Sequence, residues 1–358
     1  MRILHVDSAR TWRGGQNQVL LTAQGMKLRG HDVAIATFRG GALETQARTA
    51  GIDTCSISFH GDFSPAAVYV LVRELRARRP EIVHAHDAHA LSTALIAIRI
   101  AHTGILVAAR RVDFSLRGAF SRFKYRQARR IIAASRAIAS VLQKDGIAPD
   151  CIRVVYEGVR DRAPKPGGRE LLHRLGVPEN SQVVGNIAAL TDHKDHLTLI
   201  EAAGIVLKRR TDVRFVIAGE GECRSVLERR LRETGLEEKV FLLGFRSDID
   251  ALLPAFTLFC LSSHMEGLGT SLLDAMAFGL PIVATNAGGI PEAVENGVTG
   301  RIVPARNPSR LAEALIELLE DRTLCGAMGK AGRASFEQRF IVDRMVENTL
   351  QVYGELVK

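Results

Sequence analysis

Two carboxylates eight residues apart, Glu266 and Asp274, flank a run of small residues, Gly267-Leu268-Gly269-Thr270-Ser271. The apolar stretch Leu258-Phe259-Cys260-Leu261 before them reads as a strand buried on both faces, and Thr270 to Phe278 has helical composition stopped by Gly279. The run is therefore a loop at the carboxyl end of a strand. Gly267 and Gly269 let the backbone approach a ligand closely, and Thr270 or Ser271 is placed to cap the helix. The free N–H groups of a helix's first turn, with its dipole, favour an anion such as phosphate. Glu266 and Asp274 add acceptors for hydroxyl groups, and phosphate beside hydroxyls points to a nucleotide sugar.

The motifs continue in order behind the loop. Asp274 leads into Ala275-Met276-Ala277-Phe278-Gly279-Leu280-Pro281-Ile282-Val283-Ala284-Thr285, and then into Gly288-Gly289-Ile290-Pro291-Glu292. This set resembles the donor-site signature of the retaining family-4 glycosyltransferases, and the resemblance implies the GT-B fold. Two departures stand out. The family's second acid is usually Glu, one methylene longer than Asp274, and Tyr156-Glu157-Gly158-Val159-Arg160 stands where Asn-Gly-Val-Asp is usual. If the family role holds, lengthening Asp274 to Glu preserves or improves donor binding.

The resemblance extends to other positions. Lys194, in Thr191-Asp192-His193-Lys194-Asp195-His196, matches the lysine that neutralises the donor diphosphate, and the arginine often found shortly before it is absent from Ile187-Ala188-Ala189-Leu190. Gly219, in Ala218-Gly219-Glu220-Gly221, lies near the nucleotide in such enzymes, and Phe245 and Arg246 fall in the loop that reads the base. Gly14 and Gly15 match the N-terminal Gly-Gly loop set against the donor sugar and acceptor. The assignment that follows makes Lys194, Glu266 and His86 catalytic. It gives donor binding to Gly14, Gly15, Gly219, Phe245, Arg246, Gly267, Leu268, Gly269, Thr270 and Asp274, and acceptor binding to Arg110 and Arg111. For several of these a plainer reading competes: a tight turn for Gly14-Gly15, a surface charge for Arg246.

His84-Ala85-His86-Asp87-Ala88-His89 invites a metal reading through His84, His86 and His89. No further ligand set accompanies it and the resembling enzymes need no catalytic metal, so no metal and no cofactor are expected. His86, at a strand end, is expected at the donor sugar or acceptor, and His84 reads equally as a core histidine.

The elements that must position these residues form two sets. Seven apolar runs alternate with helical patterns through Ile3–Val6, Val33–Thr37, Thr54–Ile57, Ile82–His86, Ile105–Ala108, Ile131–Ala133 and Val154–Tyr156, which is the rhythm of a doubly wound parallel sheet. Arg160 to Gly168 is rich in Pro, Gly and charge and reads as a linker, after which six more strands alternate with helices up to Val303. A chain of 358 residues exceeds the usual single core. The expected organisation is an α/β fold of two Rossmann-like domains, 1–160 for the acceptor and 161–340 for the donor, with 341–358 a helix returning to the first. Ligands bind outside the carboxyl ends of such sheets, so the site is expected in the cleft between the domains.

Residues 1–156 hold 23 Lys+Arg against 11 Asp+Glu, whereas 157–358 hold 25 against 28, so the net +9 belongs to the first half. Such a field attracts acidic partners. Leu116 to Arg130 forms a basic amphipathic segment in which Phe120, Phe123 and Ile131 are expected to share an apolar side, fitting an anionic membrane surface or an acidic acceptor. The aromatics and base-reading motifs of a nucleic-acid binder are missing, so no nucleic acid is expected. Five scattered cysteines give no disulfide framework. Met1 to Asp7 is a strand rather than a signal peptide and Ala88–Ala101 is too short to span a bilayer, so a cytoplasmic protein is expected, peripheral on the inner face of the plasma membrane at most.

The expected activity is retaining, metal-independent transfer of a hexose from a UDP- or GDP-linked donor to an acidic or lipid-linked glycan, as in envelope polysaccharide or lipopolysaccharide synthesis. The alternatives are a nucleotide-sugar epimerase of the same fold, or an anionic-surface binding module without catalysis.

Overall fold

In the computed structural model, which describes residues 1–61 and 64–357, the apolar runs pair in parallel, as strands hydrophobic on both faces must when helices cover them. The chain divides into two units: residues up to Gly158 together with those from Val342 onward, and Val159–Ile341. The first unit runs β1 (Arg2–Asp7), α1 (Gly14–Leu28), β2 (Asp32–Phe38), α2 (Ala42–Thr49), β3 (Asp53–Ile57), α3 (Pro65–Arg78), β4 (Ile82–Ala85), α4 (Ala88–Ala101), β5 (Ile105–Arg110), α5 (Gly118–Arg126), β6 (Arg130–Ala133), α6 (Arg136–Lys144) and β7 (Ile152–Val154). Its sheet order is β3-β2-β1-β4-β5-β6-β7.

The second unit holds α7 (Gly168–Arg174), β8 (Gln182–Ile187), α8 (His196–Arg209), β9 (Val213–Ala218), α9 (Arg224–Thr234), β10 (Val240–Leu242), α10 (Ile249–Leu252), β11 (Leu258–Leu261), α11 (Thr270–Ala277), β12 (Ile282–Thr285), α12 (Ile290–Ala293), β13 (Gly300–Val303), α13 (Pro308–Glu320) and α14 (Arg322–Arg339). Its order is β10-β9-β8-β11-β12-β13. In each sheet the order reverses once, between β1 and β4 and between β8 and β11, leaving a crevice at the carboxyl ends there. The last helix, α15 (Val342–Gly354), packs on α1 within the first unit, its Val346 filling the space a side chain at Gly25 would need. It buries Met345, Val346, Val352 and Tyr353 in the same core as Val19, Leu20 and Met26.

Helix starts follow local chemistry. Asp87 accepts from the N–H groups of His89 and Ala90 at 2.9 Å, Ser135 from Ile138, Asn307 from Arg310 ahead of Pro308, and Asp321 from Leu324. Three expectations are corrected. The last strand of the first sheet is Ile152–Val154, not Val154–Tyr156: as an edge strand it takes its register from β6, and Ile152 is buried while Val154 is exposed. The helix α2 went unseen because Gly40-Gly41 blurs its start. It is held by buried Glu44, which accepts from Gly40 N–H, Arg48 and Ser56.

The third correction concerns Arg160 to Gly168, which is no linker. Val159 N–H donates to Phe340 O at 3.0 Å, Asp161 accepts from Arg333 Nη1 and Nη2, each at 2.7 Å, and Lys165 N–H donates to Asp250 O at 2.9 Å, so the stretch is part of the second unit. Composition resembling a loop here encodes a strap.

Gly185 in β8 lies under the Phe256 ring, and a Cβ there would fall within the ring. Gly185→Ala is expected to destabilise the second unit by about 1–3 kcal/mol through overpacking. Urea unfolding monitored by circular dichroism reads this directly; an unchanged midpoint would mean that Phe256 moves aside freely.

Candidate active site

Lys194 and Glu266 come from turns after β8 and β11, the two strands that bracket the reversal in the second sheet. Lys194 Nζ makes a direct ion pair with Glu266 Oε2, with side-chain exposures of only 16% and 12%. The turns are laced together around it. Ser262 Oγ donates to Lys194 O at 3.0 Å, His264 N–H donates to His193 O at 3.0 Å, and Ser263 Oγ donates to Glu266 Oε2 at 3.2 Å. From the Gly-rich turn after β12, Gly289 N–H donates to Glu266 O at 3.0 Å, and Thr285 Oγ1 at the end of that strand donates to Ser263 O. Three strand ends thus fix one acid and one base against each other, charge-neutral and half shielded from water.

Above them starts α11. Its N-cap is Gly269, at φ 90° and with no side-chain cap, so Thr270 is the first helical residue rather than the cap expected from sequence. Leu272 N–H is given to Gly269 O at 2.9 Å, and no side chain caps the N–H groups before it, the kind that can meet an anion. Gly269 is required twice, by its left-handed backbone and because a Cβ would sit 3.0 Å from Leu272. Leu268 has its side chain in the core, so only its backbone can meet a donor.

Asp274 lies in the second turn of α11, and its Oδ1 is 2.5 Å from Arg162 Nη2. The same guanidinium reaches Asp250 Oδ1 through Nη1 at 3.1 Å. Burial pushes the Asp274 carboxyl up to about 6, against the pull of Arg162. Arg162 was missed by sequence reasoning because it sits in the Pro/Gly-rich strap; its only signal was a charge run.

The remaining donor candidates divide. Phe245 is 69% exposed, and Arg246 is held by Asp248 at 2.9 and 2.5 Å. Gly219 is required by packing whether or not a nucleotide lies beside it. A Cβ there would overlap the Ala188 carbonyl, and its N–H is already given to Gly244 O at 2.8 Å. At the reversal of the first sheet, Gly14 and Gly15 open α1, and a Cβ at Gly15 would meet nothing within 4 Å. Packing does not demand that glycine.

The histidines of the first unit differ most from expectation. His89 is exposed at the start of α4, and the group that forms is His5, His84 and His86, all buried, with ligand-type atoms within 4.8 Å of one another. His5 was hidden inside the apolar run of β1. Arg111 Nη2 lies 3.0 Å from His86 Nδ1, and an arginine only donates, so Nδ1 accepts and the proton sits on Nε2. That N–H donates to His5 Nδ1 at 2.8 Å, while His84 Nδ1 meets Tyr353 OH at 2.7 Å. With Arg111 donating to it and His5 accepting from it, His86 has both ring nitrogens engaged, while His5 Nε2 and His84 Nε2 are buried without a hydrogen-bond partner among the described residues.

Arg111 itself pairs with Glu157 at 3.1 Å, one of the charged departures in Tyr156–Arg160. Arg110, expected at the acceptor, is buried with its guanidinium 4.8 Å over the Phe114 ring and 5.7 Å over Tyr125, and it donates to Phe114 O. It builds the turn after β5 instead.

Burial holds the three imidazoles neutral, with His5 down at about 3 and His84 and His86 well below the usual range. Unfolded histidines titrate near 6.5, so below that pH the unfolded chain binds more protons than the folded one. Stability is therefore complete above about pH 6.5 and falls as pH drops toward the folded values. Thermal unfolding should shift to lower temperature between about pH 7 and about pH 5, and less so in His5→Gln. The same decline in both proteins would place the acid sensitivity elsewhere.

Against known proteins, two family models match side by side. The model described as Glycosyltransferase Family 4 takes residues 12–162, and that described as Glycosyl transferases group 1 takes residues 169–335. The N-acetyl-alpha-D-glucosaminyl L-malate synthase of Bacillus anthracis is 26% identical over 208 residues, 58% of this chain and 54% of its own. A GDP-mannose-dependent alpha-(1-6)-phosphatidylinositol monomannoside mannosyltransferase of Mycobacterium tuberculosis is 35% identical over 180 residues, 48% of this chain and 46% of its own. The chain spans about half the length of these relatives. The crystal structure of Anabaena HepE in complex with UDP is 25% identical, superposes with a TM-score of 0.87 and covers 99% of this chain and 100% of that one. A Rickettsia africae glycosyltransferase, 21% identical at a TM-score of 0.89, covers 100% and 98% and shares the fold. With one family model on each parallel-sheet unit and whole-chain likeness to such structures, the chain belongs to the family-4 glycosyltransferases and has the GT-B fold.

Proposed function

We propose that the protein moves a hexose from a nucleotide sugar to a glycan or lipid-linked acceptor with retention at the anomeric carbon. The observation that carries this reading is the Lys194–Glu266 ion pair, set at the sheet reversal beside the uncapped first turn of α11. Arrival of the diphosphate at those N–H groups gives Lys194 a second anion. The ammonium exchanges carboxylate for phosphate, and the freed Glu266 accepts from the sugar hydroxyls. Asp274 takes the ribose hydroxyls, and the Phe245–Arg246 loop faces the base. As the bond from the anomeric carbon to the phosphate oxygen breaks, Lys194 and the amides stabilise the charge on the leaving group. The acceptor oxygen bonds to the same face of that carbon, and its proton goes to the departing phosphate oxygen. No protein nucleophile and no metal is required by this scheme.

This reading takes the base to be uracil or guanine, supported by HepE, crystallised with UDP and with UDP-glucose, and by the mycobacterial relative, which is GDP-mannose-dependent. Incubation with UDP-glucose and GDP-mannose, with and without oligosaccharide acceptors, tests the reading by NMR. A product of unchanged anomeric configuration supports it, an inverted one defeats the mechanism, and a new hexose isomer formed without acceptor identifies an epimerase. Lys194→Ala and Glu266→Gln should each lower turnover by about a hundredfold or more with the circular dichroism spectrum intact. Near-normal rates in both would remove the site assignment.

The acceptor is read from the basic first unit. Residues 114–144 carry eight Lys+Arg and no Asp or Glu. Phe114, Phe120 and Phe123 are 44%, 41% and 45% exposed, with Arg117, Arg122, Arg126 and Arg129 exposed around them. Two expectations for this segment are corrected: Ile131 is in the core, away from Phe120 and Phe123, and Lys124 is buried, donating to Ala88 O at 2.8 Å and Ser92 Oγ at 3.0 Å. Aromatic side chains ringed by arginines match an anionic lipid surface, where a lipid-linked acceptor would be presented at the inner face of the membrane. No helix among the described residues is long and apolar enough to cross a membrane. Co-sedimentation with phosphatidylglycerol vesicles should exceed that with phosphatidylcholine, weaken with salt, and drop in Phe120→Ser/Phe123→Ser. Equal binding to both vesicle types would reject the lipid surface.

A further inference from the structure

We propose that Arg162 is a positioning residue for the nucleotide, holding Asp274 by one carboxylate oxygen so that the other faces the ligand. The proposal rests on the donor-site reading above and adds a residue to it. Arg162 lies in the strap that opens the second unit, three residues after Val159 is pinned to Phe340 and one after Asp161 is clamped by Arg333. Its backbone is therefore fixed on both counts before its side chain is considered. The guanidinium then spans two helices, with Nη1 at 3.1 Å from Asp250 on α10 and Nη2 at 2.5 Å from Asp274 on α11. Lys165, further along the strap, holds the other Asp250 oxygen at 3.5 Å. Two acids and one arginine form a chain, with the largely exposed Lys165 side chain at its outer end.

The consequence is geometric. Asp274 Oδ1 is committed to Arg162, and its Oδ2 has no hydrogen-bond partner among the described residues. An aspartate in a helix has two side-chain torsions, and fixing one oxygen leaves the second in a defined place. A planar guanidinium with fixed donors achieves this better than an ammonium, which can hold one anion but cannot span two in set directions. The pairing also accounts for the shortened acid. A glutamate at position 274 reaches one methylene further and cannot keep the Arg162 contact without displacing a side chain that Asp250 holds. Asp274→Glu is therefore expected to weaken nucleotide binding, the reverse of what the family resemblance alone implies.

The experiment measures UDP and GDP affinity by titration calorimetry, and donor KM and kcat in parallel, for the wild type, Arg162→Lys, Arg162→Met and Asp274→Glu. Arg162→Met is expected to weaken the bound nucleotide about tenfold or more and to raise donor KM to match, with kcat changed by less than about threefold. Arg162→Lys should lie between it and the wild type, and because it keeps the charge it carries the test if Arg162→Met fails to fold. A purely structural role predicts loss of melting temperature with affinity and KM intact, and that result overturns the proposal, as does a fall in kcat at constant KM. If the wild type binds neither UDP nor GDP, the donor-site reading fails and this proposal with it. If the wild type binds and the Arg162 variants bind equally well, this proposal fails alone.

Discussion

Right-handed crossovers force a doubly wound sheet to build outward in both directions from a central pair of strands, and the rest of this structure depends on where that happens. At the reversal, the connections leave toward opposite faces, so nothing covers the carboxyl ends of the two strands. In the second unit those strands are β8 and β11, and Lys194 and Glu266, seventy-two positions apart, meet there. In the first unit they are β1 and β4, and the Gly14-Gly15 turn, His5 and His86 gather at their ends. The crevice is a consequence of topology; only its chemistry is left to the side chains.

That chemistry is arranged in facing opposite charges. Lys194 faces Glu266, Arg162 faces Asp274 and Asp250, and Arg111 faces Glu157. Charges taken partly out of water are expensive unless matched, and removing one partner costs more than the pair contributes. Each of these charges therefore faces one of opposite sign.

The first unit uses a different solution for buried polarity. His5, His84 and His86 stay uncharged; Arg111 donates to His86 and so dictates which nitrogen carries the proton from His86 to His5, while His84 meets Tyr353 OH. Two of the histidines that read in the sequence as metal-ligand spacing thus belong to a buried cluster. Its third member comes from β1, not from His89.

Much was legible before any coordinates. Strands buried on both faces announce themselves as short apolar runs, so the parallel pairs and the two-unit organisation followed from periodicity, and the loop from Glu266 to Asp274 from glycines placed between a strand and a helix. These features are local, set by a few consecutive residues. What the tertiary structure decided is every pairing across distance: that Lys194 meets Glu266, that Arg162 reaches out of an apparent linker to Asp274, that Gly219 yields to the Ala188 carbonyl, and that Arg110 turns inward to Phe114. Composition shows that a residue is charged or small. Only packing fixes what it faces, because the partner lies on another strand end whose position depends on the order of the whole sheet.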